Sequence, residues 1–364
     1  MKRILNVVGA RPNFMKIAPI HRQMKQFPDS FEPILVHTGQ HYDEAMSKIF
    51  FEQLQLPEPD IYLGVGSGSH AEQTAKIMIA FEKVCMEHHP DLVLVVGDVN
   101  STLACSLVAS KLHIPVAHVE AGLRSGDVTM PEEINRIVTD RLSDYLFTTE
   151  ESGNTNLKAE GIPEGKIFFV GNVMIDSLVH FLPQAESSHI LEELNVTQGS
   201  YALVTLHRPS NVDEKEKARQ VLEILNEVQQ LLPVVFPIHP RTSKNFQRFG
   251  FTEMIAHMEQ LKMIPPASYL DFLKLMKHAR LVLTDSGGIQ EETTYLGIPC
   301  LTLRENTERP ITVHLGSNEI VGMNKSRIME ALNLILNNQW KNGEVPQLWD
   351  GKAAERIVKV LKEH

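Results

Sequence analysis

The sequence predicts an α/β protein built from two Rossmann-like, doubly wound domains with an interdomain cleft. Three observations support this fold class. The chain has 364 residues, which is long for one core and typical of two domains of about 150–180 residues each. Short apolar runs alternate with helical patterns, as they do in parallel sheets covered by helices. The alternation restarts near residue 201, so we place residues 1–172 in a first domain and residues 173–350 in a second.

The first half of the chain begins with a strand pattern at residues 3–9, followed by a helical segment at residues 14–26. Ser69 and Glu72 have the spacing of a capping box, so we expect a helix from there to about residue 88. The other apolar runs of this half have the length of buried strands. They lie at residues 33–38, 92–96, 116–119, 145–148 and 167–170.

The second half repeats this pattern after a helical connection at residues 173–194. Its predicted strands lie at residues 201–206, 234–238, 281–284 and 300–303. The last segment, residues 351–364, forms a helix with one apolar face in this prediction. That face consists of Ala354, Ile357, Val358 and Leu361. We therefore expect the C-terminal helix to dock on another part of the protein.

The composition limits the classes of function. Apolar residues make up 43% of the chain and charged residues 22%, which is typical of a soluble globular protein. No apolar run approaches the roughly 18 residues of a membrane-spanning helix. The formal charge of −10 argues against nucleic acid as a partner. The three cysteines lack metal or redox spacing, which fits a reducing cytoplasm.

Residues 281–310 contain a predicted anion-binding turn. A buried strand ends at Asp285, and the Ser-Gly-Gly turn at residues 286–288 leads into a helix. The first turn of a helix has unpaired N–H groups and a partial positive charge, and glycines let a phosphate approach the backbone. Glu291 and Glu292 follow one turn later as suitable acceptors for ribose hydroxyls. Because any α/β protein can contain such a turn, this motif alone leaves the function open.

Polar side chains follow several of the predicted strands, where open α/β sheets bind their ligands. The group includes carboxylates, imidazoles and an arginine: Arg11, Asp98, Glu120, His207, His239 and Asp285. Taken singly, a histidine here can be structural and Asp98 can cap a helix. Glu120 follows a buried strand and needs partners for its charge. The joint appearance of these residues favours an active site, and no Walker loop or metal-ligand spacing accompanies it.

These residues resemble the motifs of the non-hydrolysing UDP-N-acetylglucosamine 2-epimerases. The matches are Gly9-Ala10-Arg11-Pro12 with Lys16, His37-Thr38-Gly39-Gln40-His41, Gly97-Asp98, the segments at residues 118–124, 131–133 and 135–136, His207-Arg208, and the segments at residues 285–292 and 307–310. They follow the family's order and span almost the whole chain. The resemblance implies a glycosyltransferase-B-like fold, a homodimer, and neither metal nor cofactor. It also implies that the C-terminal helix at residues 351–364 crosses back onto the first domain.

The resemblance implies reversible C2 epimerisation of UDP-N-acetylglucosamine (UDP-GlcNAc) to UDP-N-acetylmannosamine, for precursors of cell-surface polysaccharides. In this family UDP elimination forms a 2-acetamidoglucal and re-addition completes the reaction. The implied UDP-binding residues are Arg11, Lys16, His207, Phe272, Ser286, Gly287, Gly288, Glu292 and Arg309. The implied catalytic residues are Asp98, Glu120, Glu132 and His207. The sequence leaves open which of them acts on each face of the sugar.

Some positions depart from the family's pattern. Asn13 stands where many members have glutamate, and Pro209-Ser210 replaces a second arginine and a glutamate. Residues 37–54 and 122–136 also resemble a branch that acts on UDP-2,3-diacetamido-2,3-dideoxyglucuronic acid, which is therefore an alternative substrate. A UDP-sugar glycosyltransferase on the same fold is a less favoured alternative. A nucleotide-sugar-binding regulator without catalysis is a third.

Two further departures concern regulation. The resemblance implies that bacterial members often bind a second, activating UDP-GlcNAc through residues that correspond to Gln40, Gln73 and His239 and through two arginines, whose positions here are occupied by Glu72 and Pro209. A diphosphate beside Glu72 would meet a like charge, and the missing arginines remove charge-assisted hydrogen bonds. We therefore expect weak or no activation by UDP-GlcNAc.

Overall fold

The computed structural model describes residues 1–40 and 56–364, except for the side chain of Arg11. His41, the rest of residues 41–55 and the Arg11 side chain therefore lie outside the described residues. The described chain forms two compact units. The first contains Met1–His180 and Gln347–His364, and the second contains Phe181–Pro346.

The first unit is built on a parallel sheet of seven strands. In chain order they are β1 (Lys2–Val8), β2 (Phe31–His37), β3 (Ile61–Tyr62), β4 (Leu92–Val96), β5 (Val116–Ala121), β6 (Tyr145–Thr148) and β7 (Ile167–Phe169). Their order across the sheet is β3-β2-β1-β4-β5-β6-β7. The direction of the winding reverses between β1 and β4, and such a switch point is where open α/β sheets bind ligands.

Helices connect these strands and cover the sheet. They are α1 (Arg11–Lys25), α2 (His70–His88), α3 (Asn100–Lys111), α4 (Pro131–Leu142), α5 (Glu151–Ala159), a short 3-10 helix (Glu164–Lys166) and α6 (Val173–Ala185). The predicted capping box is confirmed at the start of α2. The Ser69 side chain accepts from the Glu72 N–H, and the Glu72 carboxylate accepts from the Ser69 N–H at 3.3 Å.

A C-terminal helix (Ala353–Glu363) packs on α1 within the first unit. Asp176, on α6, accepts hydrogen bonds from the N–H groups of Ala353 (3.0 Å) and Ala354 (2.7 Å) and so caps this helix. The helix buries the predicted apolar face, including Ile357 and Leu361. The sequence assigns residues 173–180 to the second domain, whereas the bonds of Asp176 join them to the first unit.

The second unit contains a parallel sheet of six strands in the order β10-β9-β8-β11-β12-β13. They are β8 (Ala202–Thr205), β9 (Val234–Pro237), β10 (Leu261–Ile264), β11 (Leu281–Thr284), β12 (Cys300–Thr302) and β13 (Asn318–Ile320). Its helices are α7 (Ile190–Glu193), α8 (Pro209–Val212), α9 (Lys215–Gln229), α10 (Pro240–Arg248), α11 (Thr252–Ala256), α12 (Tyr269–His278), α13 (Gly287–Leu296), α14 (Ile311–His314) and α15 (Lys325–Leu336). The switch point lies between β8 and β11.

The two units have separate hydrophobic cores. Phe81 on α2 and Val93 on β4 are fully buried in the first, and Phe236 on β9 and Leu283 on β11 are fully buried in the second. The doubly wound α/β architecture that the sequence predicted is therefore confirmed. In the described part of the chain, no helix is long and apolar enough to cross a membrane.

Candidate active site

Asn13 holds together the strand ends at the switch point of the first unit. Its side-chain oxygen accepts hydrogen bonds from the N–H groups of Gly9 (3.3 Å) and Ala10 (3.0 Å), at the end of β1. Its amide nitrogen donates to the Val96 carbonyl, at the end of β4, at 2.9 Å. A glutamate at this position would have no donor for the third bond. Asn13 therefore serves as a neutral structural link between β1 and β4.

Glu120 lies near the end of β5 in an unusual backbone conformation. Its φ angle is 74°, and the pairing of β5 with β6 shifts register around it. A non-glycine residue in this left-handed region is strained and persists only where its surroundings fix it. The side chain is buried, and its carboxylate lies 2.6 Å from the Lys16 Nζ, which is also buried. This ion pair offsets much of the cost of burying both charges.

Asp98 follows β4 and is held by two residues of α4. The Arg136 guanidinium lies 2.5 Å from the Asp98 carboxylate and 2.6 Å from that of Glu133. Asn135 donates to the Asp98 carbonyl at 2.8 Å. Glu133 also accepts from backbone N–H groups of residues 125–126. Asp98 is thus fixed at the strand end with 22% of its side chain exposed.

A cavity of about 250 Å³ lies beside Asp98, within the first unit. Glu132, in the first turn of α4, contributes a second carboxylate to its wall. The remaining polar side chains of the lining belong to Gln40, Ser67, His70, Gln73, Asn100 and Asn135. Among the described residues, no lysine or arginine lines this cavity. Such a lining suits the hydroxyl and amide groups of a neutral sugar.

Asp285 and His207 meet at the switch point of the second unit. The buried Asp285 carboxylate accepts from the N–H groups of His207 (3.0 Å) and Arg208 (2.9 Å) and from the Asn211 amide at 3.1 Å. The His207 Nδ1 lies 3.1 Å from the same carboxylate. Burial acts to raise the pKa of Asp285, but these donors outweigh it and lower the pKa. Asp285 therefore orients His207 while 44% of the His207 side chain stays exposed.

The predicted anion-binding turn begins α13. Ser286 is the N-cap residue, and its side chain makes no capping hydrogen bond. A Cβ atom at Gly287 would lie 2.6 Å from the Arg309 Nη1. Arg309 is buried there with its guanidinium 2.7 Å from the Glu291 carboxylate. Glycine thus allows the arginine to pack directly beneath the turn, where it is paired with the buried carboxylates of Glu291 and Glu308.

Glu292 lies one turn into α13 and is buried. Its carboxyl group accepts a hydrogen bond from the Tyr269 hydroxyl at 3.2 Å. Burial raises the pKa of Glu292 to about 8; the Tyr269 hydrogen bond lowers it and the nearby Glu291 raises it. Tyr269 and the half-buried Phe272 both lie on α12, which packs against α13.

The predicted site residues fall into two groups, one near the carboxyl edge of each sheet. The first unit contains Arg11, Lys16, Asp98, Glu120 and Glu132, with only the backbone of Arg11 described. The second unit contains His207, Phe272, Ser286, Gly287, Gly288, Glu292 and Arg309. Arg136 and Tyr269 were not predicted from the sequence as partners of these residues. The spacing of Glu133 and Arg136 on one helix face was an available signal for the first.

The chain is similar to known proteins along almost its whole length. The family model for UDP-N-acetylglucosamine 2-epimerase matches residues 22–362. UDP-N-acetylglucosamine 2-epimerase of Methanocaldococcus jannaschii is 46% identical over 98% of this chain and 97% of its own. UDP-2,3-diacetamido-2,3-dideoxy-D-glucuronate 2-epimerase of Pseudomonas aeruginosa is 41% identical over 99% of both chains.

The solved structures give the same result. A crystal structure of the M. jannaschii UDP-GlcNAc 2-epimerase in complex with UDP-GlcNAc and UDP has a TM-score of 0.91, with 46% identity and complete coverage of both chains. The UDP-GlcNAc 2-epimerase from Neisseria meningitidis bound to UDP-GlcNAc has a TM-score of 0.90 at 31% identity, again over both complete chains. The sequence motifs, the paired sheets and these matches together show that the chain belongs to the UDP-N-acetylglucosamine 2-epimerase family.

Proposed function

We propose that the protein interconverts UDP-GlcNAc and UDP-N-acetylmannosamine, for the synthesis of cell-surface polysaccharide precursors. The observation that carries this proposal is the strained, buried Glu120 beside Lys16, at the same sheet edge as Asp98 and Glu132. Proton transfer needs such positioned carboxylates. The family membership and the UDP-GlcNAc complexes of the related enzymes support UDP-GlcNAc as the substrate.

The chemistry of C2 requires an indirect route. No carbonyl group adjoins C2, so direct removal of its proton is unfavourable. In the proposed reaction the C1–O bond breaks and its electron pair leaves with UDP. A base takes the C2 proton, and C1 and C2 become the double bond of 2-acetamidoglucal. An acid then protonates C2 from the opposite face, and UDP returns to C1.

We assign proton transfer to the carboxylates of the first unit, Asp98, Glu120 and Glu132, together with His207 of the second. The reaction is reversible, so the base of the forward direction is the acid of the reverse direction. Glu120 is our choice for one face of C2 because its buried carboxylate is held in place 2.6 Å from the Lys16 Nζ. The exposed part of Asp98 and the position of Glu132 in the cavity wall make both available to the sugar.

We assign UDP to the second unit, at the start of α13. The N–H groups of residues 286–288 and the buried Arg309 supply positive potential for the diphosphate. In its protonated form, with Nδ1 facing the Asp285 carboxylate, His207 can donate to the diphosphate through Nε2. Glu292 is placed to accept from the ribose, and Phe272 to contact the uracil. Arg11 and Lys16 complete the UDP-binding set that the family resemblance implies.

Two alternatives can be separated from this proposal. A uronic acid sugar would bring a third carboxylate to the cavity of Asp98 and Glu132, and the described lining has no lysine or arginine to pair with it. We therefore favour UDP-GlcNAc over UDP-2,3-diacetamido-2,3-dideoxyglucuronic acid. A glycosyltransferase would need an acceptor and would leave Asp98, Glu120 and Glu132 without a task.

One incubation tests these alternatives together. The protein is mixed in deuterated water with UDP-GlcNAc or with the diacetamido uronic acid derivative, and NMR follows C2. We expect the UDP-N-acetylmannosamine signals to appear with deuterium at C2, and much slower reaction of the uronic acid sugar. Faster turnover of the uronic acid sugar would reassign the substrate. Inertness toward every UDP-2-acetamido sugar would contradict the proposed epimerisation.

Glu292 should make UDP binding depend on pH. Its pKa of about 8 means that it is mostly protonated at neutral pH, whereas ribose hydroxyls donate best to the ionised carboxylate. UDP affinity should therefore rise as the pH rises from about 7 to about 9, with release of a proton, because the ligand favours the deprotonated form. The terminal phosphate of UDP has a lower pKa, about 6, and so does not titrate in this range. Calorimetry in buffers of different ionisation enthalpy measures both effects.

The matched control for this prediction is Glu292→Gln, which keeps the shape but cannot titrate. Its UDP affinity should stay constant over the same pH range, with no proton release. A constant affinity in the unmodified protein as well would show that UDP does not engage the Glu292 carboxylate.

The effector prediction gains support from the capping box. The Glu72 carboxylate is engaged by the backbone and hydroxyl of Ser69, so it stays at the start of α2. We expect the reverse reaction, started from pure UDP-N-acetylmannosamine, to begin without a lag. Trace UDP-GlcNAc should leave the initial rate unchanged. A lag that trace UDP-GlcNAc abolishes would show that an effector site survives the two substitutions.

We also propose that the protein works as a homodimer in the cytoplasm. Large apolar side chains are exposed on two helices of the first unit: Ile79 and Met86 on α2, and Ile134 and Ile137 on α4. Exposed apolar groups of this kind mark protein interaction surfaces. The three cysteines are free thiols, which fits a reducing compartment. Light scattering should give twice the chain mass of 41.0 kDa, and a monomer at that mass would contradict the dimer.

A further inference from the structure

A buried group of charged side chains beside Glu120 has no part in the proton transfers proposed above. His118 and Asp140 are completely buried, and the His118 Nδ1 lies 2.6 Å from the Asp140 Oδ1. Arg124 lies 2.7 Å from the other oxygen, Oδ2, of Asp140. Burying several charged groups costs desolvation free energy, so we looked for a structural role of these contacts beside Glu120.

The Asp140 carboxylate holds the chain on both sides of Glu120. Its Oδ1 contacts His118, two residues before Glu120, and its Oδ2 accepts from the Gly122 N–H, two residues after it, at 3.1 Å. At Gly122 a Cβ atom would lie 2.4 Å from the Gly153 carbonyl, so this segment is also closely packed. Because both flanks are fixed, the backbone at Glu120 cannot relax from its φ of 74° to an ordinary strand conformation.

His118 extends these contacts to the strand that carries Asp98. Its Nε2 lies 2.8 Å from the Gly97 carbonyl, which can only accept, so this nitrogen carries a proton. Its Nδ1 faces the Asp140 carboxylate. Burial acts to raise the pKa of Asp140, but His118 and Arg124 outweigh it and lower the pKa. These contacts favour the ionised form of Asp140, whose two oxygens lie against His118 and Arg124.

We propose that His118 and Asp140 form a backbone clamp that positions Glu120 and Asp98 for proton transfer at C2. The clamp spans the ends of β4 and β5 through the Gly97 carbonyl and the Gly122 N–H. Neither clamp residue touches the sugar, so both are positioning residues. The inference rests on the proposed epimerase function and adds to it the means by which the strained Glu120 is held.

The first test replaces Asp140 with asparagine, which keeps its shape and removes its charge. The loss of charge should shift Glu120 by up to about 1 Å. A displacement of that size lowers the rate of catalysis, so kcat should fall by about tenfold to a hundredfold. Most of the assigned UDP-binding residues lie in the other unit, so the Kd of UDP should change by less than about threefold. The matched control is Glu160→Gln, which removes the surface partner of Arg124 and leaves the bonds of Asp140 intact. The control should retain wild-type kcat.

A double-mutant cycle distinguishes positioning from a general loss of stability. In a Glu120→Gln background the carboxylate on the strained backbone that Asp140 fixes is already disabled, whereas Asp98 is still held by Arg136 and Asn135. Asp140→Asn should then lower the residual C2 exchange by less than about threefold, because residues that act as a unit are non-additive. An equal fall in both backgrounds, or an unchanged kcat in the single variant, would overturn the proposal.

Amide hydrogen exchange gives a readout independent of activity. Residues 118–124 should exchange faster in Asp140→Asn than in Glu160→Gln, while β4 keeps its protection. If Asp140→Asn does not fold, His118→Gln provides the same comparisons, since it removes the contact with the Asp140 Oδ1. Unchanged exchange in residues 118–124 would overturn the clamp. Failure of the wild-type protein to epimerise any UDP-2-acetamido sugar would instead overturn the proposed function, and the exchange result would still stand.

Discussion

Glu120→Gln should lower the rate of C2 proton exchange by at least about a hundredfold, the usual loss when a positioned general base is removed. The variant keeps the shape of the side chain and can still accept a hydrogen bond from Lys16. It loses the negative charge that takes up the C2 proton. NMR of UDP-GlcNAc in deuterated water measures the exchange rate directly.

The structure also predicts what Glu120→Gln should leave unchanged. Most of the assigned UDP-binding residues lie in the second unit, so UDP affinity should change much less than the exchange rate. Glu355→Gln, on the exposed surface of the C-terminal helix, is the matched control and should exchange C2 at the normal rate. If Glu120→Gln is instead insoluble or unfolded, the carboxylate mainly serves the fold, as a buried partner of Lys16.

His207→Ala should lower turnover by roughly a hundredfold or more, because one donor to the departing oxyanion typically contributes about 3–4 kcal/mol in the transition state. The fold should survive the change. Nearly half of the His207 side chain is exposed, and Asp285 keeps its bonds to backbone N–H groups and to Asn211. From the sequence, we expect the same loss of turnover for Arg11→Ala.

The control for His207→Ala is His257→Ala, which removes an exposed imidazole from the same unit. Initial rates of UDP-GlcNAc epimerisation should be near normal in the control and strongly reduced in His207→Ala. Near-normal turnover of His207→Ala would show that this imidazole has only a structural role beside Asp285.

The sequence predicts the central strands well and misses three of the four edge strands, the exception being β7. The apolar runs at residues 92–96 and 281–284 became β4 and β11 with the same bounds, because a strand covered on both faces must be apolar along its length. Strands β3, β10 and β13 lie at sheet edges and were not predicted. They are short and only partly buried, so their sequences carry no continuous apolar signal.

The sequence also places the candidate site residues at strand ends but does not predict how they are held. The position of Asp98 and Glu120 follows from the strands before them. The left-handed backbone of Glu120 and its contact with Lys16 depend on tertiary packing and have no local signal. Arg309 was expected to bind UDP directly, and its burial against Glu291 beneath Gly287 was visible only in the structure.

In the proposed reaction UDP leaves C1 during epimerisation, and positional isotope exchange is the direct test of this step. UDP-GlcNAc is prepared with oxygen-18 in the bridge between C1 and the β-phosphate, and the label is located by NMR during the reaction. Elimination frees the β-phosphate to rotate before UDP returns to C1. We therefore expect the label to spread to the nonbridging oxygens of the β-phosphate as the epimer forms. Epimerisation with the label retained entirely in the bridge would contradict the cleavage of the C1–O bond.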